Sequence, residues 1–145
     1  MTALIKKVYF ACSIRGGGDK SLYPSLVKII SQKAALLTEI FVADGLSPEG
    51  SNLPNTEIWE RDISWIAEAD AIIAEVSSPS LGVGYEIAKA EEGNKPILCL
   101  FRINGETKLS AMIAGCPNLK IANYANIDEA QTAIEDFLAN LDSCS

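Results

Sequence analysis

The stretch AIIAEVSSPSLGVGYEIAKA, residues 71–90, decides the fold class. It begins with an apolar run rich in isoleucine, passes through serine and proline, and ends in a segment with helical periodicity. The apolar run does not alternate with polar residues, so it predicts a strand that is covered on both faces, as in a parallel sheet. Outward from this stretch, the same succession of strand and helix repeats along the chain.

Five strands and five helices are predicted. The strands cover residues 7–12, 39–43, 71–76, 97–101 and 119–123. Apolar spacing indicates helices at Leu22, Leu26, Ile29, Ile30 and Leu37, at Ile58, Trp59, Ile63 and Ile66, and over residues 85–92, 109–114 and 127–141. This succession predicts an α/β, flavodoxin- or Rossmann-like three-layer fold with a five-stranded parallel sheet in the order 2-1-3-4-5. We expect residues 1–145 to form a single domain.

The composition argues against two classes of partner. No apolar run approaches the ~20 residues that a membrane span requires, and we expect no signal sequence. The net charge of −7 disfavours a nucleic-acid backbone as partner, because such binding needs a basic surface. Residues 1–33 nevertheless hold six of the 12 basic residues and one acid, which suits a small anion. We expect a cytoplasmic protein, with the nucleus as the alternative location.

Cysteine and histidine usage limits the chemistry. Cys12, Cys99, Cys116 and Cys144 lack the paired spacing of a zinc site and the density of a disulfide scaffold. Cys12 and Cys99 fall in strand-like apolar runs and are predicted to be buried, reduced thiols. The chain has no histidine, so acid–base chemistry near neutral pH must use carboxylates, Tyr, Lys, Cys or water. We therefore predict neither a metal nor a cofactor.

Two loops should meet at the carboxyl edge of the first and third strands, where ligands bind in such sheets. The first reads SIRGGG, residues 13–18, and the second reads SSPSLGVGYE, residues 77–86. The first matches neither G-x-G-x-x-G nor a P-loop, so its hydroxyl, arginine and glycines fit either an anion site or a simple turn. The long loop over residues 44–55 could be a mobile flap above this crevice.

Three acidic residues differ in where the topology places them. Glu86 follows the second loop at the floor of the crevice, as either a functional carboxylate or a solvated helix residue. Asp62 lies one or two turns into the second helix, and the pattern leaves its role undecided. Asp70 precedes the third strand at the opposite edge, which indicates a structural role.

Four segments together resemble a known family. They are VYFACSIRGG, RDISWIAEADAIIAEVSSPSLGVGYEIAKA, KPILCLFR and LSAMI, at residues 8–17, 61–90, 95–102 and 109–113. They are similar to the 2′-deoxynucleoside 5′-phosphate N-hydrolases, relatives of the nucleoside 2-deoxyribosyltransferases. The likeness covers most of residues 7–115. It implies hydrolysis of the N-glycosidic bond of a deoxynucleoside 5′-monophosphate through a covalent glycosyl-glutamate intermediate.

The resemblance also implies roles for individual residues. Glu86 would be the nucleophile at C1′, Tyr9 would orient it, and Asp62 would contact the substrate and assist departure of the base. Substrate-binding positions are implied at Cys12, Ser13, Ile14, Arg15, Gly16, Ser80, Gly82 and Ser110. Ser110 would reach the phosphate bound by a neighbouring subunit, which makes the expected active unit a homodimer.

The sequence departs from the family pattern at two positions. Cys12 stands where a glycine is usual, and Trp59 replaces a histidine that often precedes Asp62 by three residues; both changes bear on base preference. Arg15 and the hydroxyls of Ser13, Ser80 and Ser110 favour a phosphorylated substrate. The alternatives are a nucleoside 2-deoxyribosyltransferase and a non-catalytic nucleotide-binding module on the same scaffold.

Overall fold

The computed structural model describes residues 6–14, 20–38, 53–104 and 107–141. Strands and helices alternate in these ranges: β1 (Lys7–Ala11), α1 (Tyr23–Ser31), β2 (Ala35–Thr38), α2 (Asn55–Glu68), β3 (Ala71–Glu75), α3 (Leu81–Glu92), β4 (Ile97–Arg102), α4 (Ala111–Ala114), β5 (Lys120–Tyr124) and α5 (Ile127–Leu141). The strands pair in parallel in the order β2-β1-β3-β4-β5. This confirms the predicted sheet.

The sheet is covered on both faces, as its continuous apolar strands predict. Val8 and Phe10 of β1 pack into a core shared with α1 and α5, whereas Tyr9 and Ala11 pack into a second core shared with α2 and α3. Successive side chains of a strand point to opposite faces, so one strand contributes to both cores. Strand β3 is buried along its whole length. The result is a three-layer arrangement with β1 and β3 at its centre.

Helix α3 begins earlier than the sequence predicts. Its first residue is Leu81, because the hydroxyl of Ser80 accepts a hydrogen bond from the Val83 amide at 3.2 Å and caps the helix. Gly82 and Gly84, which we expected in the preceding loop, therefore lie in the first turns of α3. The start of this helix, rather than a loop, borders the crevice.

Strand β2 is the second departure from expectation. The predicted strand over residues 39–43 lies outside the described residues, and the described strand β2 spans Ala35–Thr38. Leu37, which we assigned to the first helix, pairs with Tyr9 of β1. Ala and Leu favour helices intrinsically, but pairing with a central strand overrides that weak preference.

The amino edge of the sheet is fixed by polar contacts. The carboxylate of Asp70 accepts a hydrogen bond from the Lys7 amide at 2.8 Å. The ammonium group of Lys95 donates to the carbonyls of Ala67 at 2.9 Å and Ala69 at 2.7 Å, at the end of α2. Asp70 thus holds the first strand against the third, which agrees with its expected structural role.

The described cysteines are free thiols. Cys12 and Cys99 are buried, as predicted, and Cys116 is partly exposed. Burial raises the pKa of Cys99 to about 12, so this thiol stays protonated at neutral pH and is a poor nucleophile. Cys144 lies outside the described residues.

Helix α5 is the longest described helix, with 15 residues. It directs Ala130, Ile134 and Phe137 into the core. Among the helices that the structure describes, none combines the length and apolarity needed to cross a bilayer.

A buried polar network closes the carboxyl ends of β3, β4 and β5. The Glu75 carboxylate accepts hydrogen bonds from the Ser77 amide at 2.8 Å, the Ser77 hydroxyl at 2.9 Å and the Tyr124 hydroxyl. The Ser77 hydroxyl in turn accepts from the Arg102 amide at 2.7 Å. Burial and the adjacent Glu75 carboxylate raise the pKa of Tyr124, which therefore remains a donor. The network fixes the first residues of the loop that leads to α3.

Replacing Tyr124 by Phe should destabilise the protein. The change removes a donor to a buried carboxylate, and such charge-assisted bonds contribute about 1.5–3 kcal/mol. We expect the free energy of unfolding, measured by urea denaturation, to fall by an amount in that range. Tyr85→Phe is the matched control, because Tyr85 is half-exposed and the bond that its hydroxyl accepts from the Trp59 indole is an exposed bond between neutral groups, so the loss of stability should be less than about 0.5 kcal/mol. Equal effects of the two substitutions would contradict a special role for the network.

Candidate active site

A cleft of about 920 Å³ opens at the carboxyl edge of the sheet, where β1 and β3 lie side by side and their connections leave in opposite directions. Its volume is in the range of sites that hold a small organic ligand. The walls come from the end of β1, one face of α2 and the start of α3. The lining residues are Cys12, Ile14, Asn55, Ile58, Trp59, Asp62, Ile63, Pro79, Ser80, Leu81, Gly82, Val83, Tyr85 and Glu86.

Glu86 and Tyr9 are in direct contact. The Tyr9 hydroxyl, carried by the buried central strand, donates a hydrogen bond to Oε2 of Glu86 on α3. Glu86 is partly buried and faces the cleft. The structure therefore joins these two predicted site residues, 77 positions apart in the sequence, and holds one carboxylate oxygen in a defined position.

Asp62 lies two turns into α2 and contributes its carboxyl group to the same cleft. It is only 8% exposed. Burial raises the pKa of Asp62 above its ordinary value, and the hydrogen bond and positive charge of Arg61 oppose this rise. A carboxyl group with a raised pKa is better suited to donate a proton than an exposed aspartate.

Arg61 contacts Asp62 directly, and no sequence motif singles it out. Its Nε donates to Oδ1 of Asp62 at 3.0 Å, and its guanidinium group lies 4.8 Å from the centre of the Trp65 ring. Trp65 also packs against Tyr9, with ring centres 6.3 Å apart. Arg61 and Trp65 are four residues apart on one helix, and residues at this spacing contact each other. That spacing was the available signal.

The serines near the cleft differ in their partners. Ser13 is buried, and its hydroxyl has no hydrogen-bond partner among the residues that the structure describes. The Ser80 oxygen accepts the capping bond from Val83, which leaves the hydroxyl hydrogen available to another acceptor. Ser13 is not among the residues that line the cleft, although Cys12 and Ile14 on either side of it are.

Gly82 has no packing reason to be glycine. A Cβ there would meet its nearest neighbour, the Ser80 oxygen, at 3.9 Å, and at Gly84 it would meet nothing within 4 Å. Glycine inside a helix costs about 0.5–1 kcal/mol relative to alanine. Of these two glycines at the start of α3, Gly82 is among the residues that line the cleft and Gly84 is not.

The remaining predicted residues are placed as follows. Cys12 and Ile14 line the cleft, and the Ile14 carbonyl accepts a hydrogen bond from the Lys20 ammonium group. Arg15 and Gly16 lie outside the described residues, as does most of the loop over residues 44–55. Ser110 is exposed at the start of α4 and is not among the residues that line the cleft. Within the described ranges, no three His, Cys, Asp or Glu side chains are grouped as a metal site requires.

Comparison with known proteins assigns the family. The sequence profile of the nucleoside 2-deoxyribosyltransferase family matches residues 8–140. The 5-hydroxymethyl-dUMP N-hydrolase of Tetraodon nigroviridis is 40% identical over 140 residues, covering 92% of this chain and 98% of the relative. A protein of Syntrophotalea carbinolica with the provisional name 2′-deoxynucleoside 5′-phosphate N-hydrolase 1 is 37% identical over 134 residues, covering 92% and 94%. The chain belongs to the nucleoside 2-deoxyribosyltransferase family.

A solved structure supports the fold. The CMP N-glycosidase of Clostridium botulinum superposes with a TM-score of 0.64 at 19% sequence identity, covering 90% of this chain and 98% of the other. At this identity the likeness concerns the architecture alone. It agrees with the five-stranded parallel sheet described above.

Asp62→Asn should stabilise the protein at neutral pH. Burial raises the pKa of Asp62 above the ordinary 3.8, so the folded state holds a disfavoured charge whenever the pH exceeds the raised pKa. Asparagine carries no charge, and the variant should therefore melt at a higher temperature at pH 7. The difference should shrink as the pH falls towards 3.8, because Asp62 then takes up its proton.

Glu60→Gln is the control for this comparison. Glu60 lies on the same helix but is exposed, so it reports the effect of removing one negative charge from an acidic protein. The melting temperatures of both variants and of the parent protein are compared between pH 4 and pH 7. An Asp62→Asn variant that is less stable than the parent at pH 7 would show that Arg61 outweighs burial.

Proposed function

We propose that this protein hydrolyses the N-glycosidic bond of 2′-deoxynucleoside 5′-monophosphates and releases the free base and 2-deoxyribose 5-phosphate. One observation carries the proposal: the Glu86 carboxylate, held by the Tyr9 hydroxyl, faces the same cleft as the buried carboxyl group of Asp62. A nucleophilic carboxylate and a proton donor on one cleft are the two groups that cleavage of a glycosidic bond requires.

The general activity follows from membership of the family. The chain belongs to a family of enzymes that act at the N-glycosidic bond of nucleosides, and its relatives at about 40% identity are named N-hydrolases. It is an N-glycosidase. The names of those relatives support a deoxynucleoside monophosphate as the substrate class, which is the finer part of the proposal.

In the first step, an oxygen of Glu86 attacks C1′ of the deoxyribose while the bond from C1′ to the base breaks. The electron pair of that bond leaves with the base, and Asp62 donates the proton that the departing base takes up. Tyr9 holds Oε2 of Glu86, so the carboxylate does not need to be reoriented at the moment of attack. The product of this step is a glycosyl-Glu86 ester.

In the second step, water attacks C1′ of the ester. Asp62, now ionised, accepts the proton of the water, and the bond between C1′ and Glu86 breaks to restore the carboxylate. Two displacements at the same carbon give net retention of configuration. A 2-deoxy sugar lacks the electron-withdrawing 2′-hydroxyl, so positive charge develops at C1′ more easily in both steps. No histidine, metal or cofactor is needed for this sequence.

The phosphate site is proposed at the start of α3 and the end of β1. The free amides of a helix N-terminus attract anions, and Ser80 lies at that position in α3. The buried Ser13 hydroxyl supplies a further donor. From the sequence, we assign Arg15 to the same phosphate, with Cys12, Ile14, Gly16 and Gly82 around the nucleotide.

We further propose that the active unit is a homodimer in which Ser110 completes the neighbouring site. Ser110 is exposed, and Met112, two positions further along the chain, is 83% exposed. Leu81, at the mouth of the cleft, is 97% exposed. Large apolar side chains with this exposure support a contact between two copies.

Glu86→Ala should lower kcat by at least roughly 1,000-fold, because loss of a nucleophile removes the covalent route. Substrate binding, measured by calorimetry, should change little. Activity is measured as free base released from a panel of deoxynucleoside monophosphates. Glu92→Ala is the matched control, since Glu92 is an exposed glutamate at the far end of the same helix.

Two outcomes would overturn the proposal. If the unaltered protein releases no base from any of these nucleotides, it is not the proposed hydrolase. If added free base is converted to a new deoxynucleotide in preference to hydrolysis, the protein is a deoxyribosyltransferase.

Arg15→Ala should raise KM for monophosphates by about 10- to 100-fold, which is the value of a charge-assisted hydrogen bond to phosphate. Its kcat should change little, because the contact is expected in the ground state and the transition state alike. Lys28→Ala, which removes an exposed cation from α1, should leave both constants unchanged. A loss confined to kcat would place Arg15 in the chemical step instead.

A further inference from the structure

Two aromatic side chains remain half-exposed in the cleft. Trp59 of α2 is 49% exposed and Tyr85 of α3 is 50% exposed, whereas the aromatic residues of the strands, such as Tyr9 and Phe10, are buried. Trp59 and Tyr85 both line the cleft beside Glu86. Leaving so much apolar area in water forgoes a large part of the stabilisation that burial would give. The described residues thus leave an aromatic surface open to a ligand.

This aromatic surface is held in one arrangement. The indole Nε1 of Trp59 donates a hydrogen bond to the Tyr85 hydroxyl at 3.2 Å, which links α2 to α3 across the cleft. The bond satisfies the indole N–H and restricts both rings before any ligand binds. A rigid surface costs less conformational entropy on binding than a mobile one.

The side chains around Trp59 and Tyr85 favour apolar contact with the face of a ligand ring over hydrogen bonds to its polar edge. Ile58 and Ile63 of α2 and Leu81 of α3 line the cleft next to Trp59 and Tyr85. Apolar side chains here make few hydrogen bonds to a ligand. A planar, uncharged aromatic group is the chemistry that fits between such walls, because it binds through stacking and apolar contact.

The position of the pair relative to the two acids identifies that aromatic group. Trp59 precedes Asp62 by three residues, which places both on one face of α2, and Tyr85 adjoins Glu86. The base of a nucleotide is bonded to C1′, the atom that Glu86 attacks, and Asp62 must reach it. The base therefore lies against Trp59 and Tyr85; this step rests on the proposed function.

We infer that Trp59 and Tyr85 form the surface on which the nucleobase stacks, and that this surface selects substrates by the area of the base. A bicyclic purine covers more of the two rings than a monocyclic pyrimidine. Purine deoxynucleotides consequently bind more tightly, and the preference appears in KM rather than in kcat.

The first test compares Trp59→Ala with the unaltered protein on dGMP and dCMP. Loss of one stacking partner should raise KM for dGMP by about 5- to 150-fold and should raise KM for dCMP by a smaller factor. Inhibition by the product 2-deoxyribose 5-phosphate, which has no base, should stay within about twofold. Trp59→Phe, which keeps a ring, should recover most of the loss.

Glu60→Ala provides the matched control, because Glu60 adjoins Trp59 on α2 but is exposed and does not line the cleft. It should leave KM for both nucleotides unchanged. Equal losses with dGMP, dCMP and 2-deoxyribose 5-phosphate in Trp59→Ala would overturn the inference, since they would indicate general damage to the site. No loss with either nucleotide would overturn it as well.

The second test needs no substitution in the protein that binds ligand. The indole N–H resonance of Trp59 is assigned by its absence in Trp59→Phe and followed in the unaltered protein by NMR. Stacking of a base should shift this resonance on addition of dGMP, whereas 2-deoxyribose 5-phosphate should leave it in place. A resonance that does not move with saturating dGMP would overturn the inference even if the protein hydrolyses dGMP. Absence of hydrolysis, in contrast, counts against the proposed function.

Discussion

The hydrogen bond between Tyr9 and Glu86 joins β1, a central strand of the sheet, to the helix that borders the cleft. Its position depends on the parallel topology, because only a crossover connection brings the end of β1 next to the start of α3. The Tyr9 ring is fixed in the core, so its hydrogen bond holds the Glu86 carboxylate in a fixed position relative to the sheet. The two groups of such a polar pair keep precise positions because the side chains around them are close-packed.

The pKa of the second carboxyl group, that of Asp62, is raised by burial. Asp62 lies in a poorly solvated position on α2, and the neighbouring Arg61 moderates the effect. Trp65 holds Arg61 on one side and packs against Tyr9 on the other, so the supports of both acids share one side chain. The two carboxyl groups therefore lie in different environments, and the proposed mechanism uses this difference to assign a nucleophile and a proton donor without histidine.

The sequence predicted the sheet well because its signal is local. The three central strands, β1, β3 and β4, are nearly continuous apolar runs, and the alternation of strands with helices leaves few topologies. Elements whose boundaries depend on tertiary contacts were less predictable: Leu37 is in a strand because β1 pairs with it, and Gly82 is helical because Ser80 caps the turn. Arg61 was missed because its role requires Trp65 on the next turn of the helix.

The candidate site was predictable only in part for the same reason. Glu86 and Asp62 could be placed near one edge of the sheet from topology, but nothing in their local sequence indicates that one is bonded to Tyr9 or that the other is buried. The resemblance to a family supplied their expected roles. The contact between Trp59 and Tyr85 joins two helices and has no local signature at all.

The polar contacts of Asp70 and Lys95 lie at the amino edge of the sheet, opposite the cleft. Changes at these residues should alter how much folded enzyme a cell maintains, without altering the turnover of each folded molecule. Selection on abundance and selection on chemistry therefore act on different ends of the same strands. The catalytic edge can diverge towards new bases while the opposite edge preserves the scaffold.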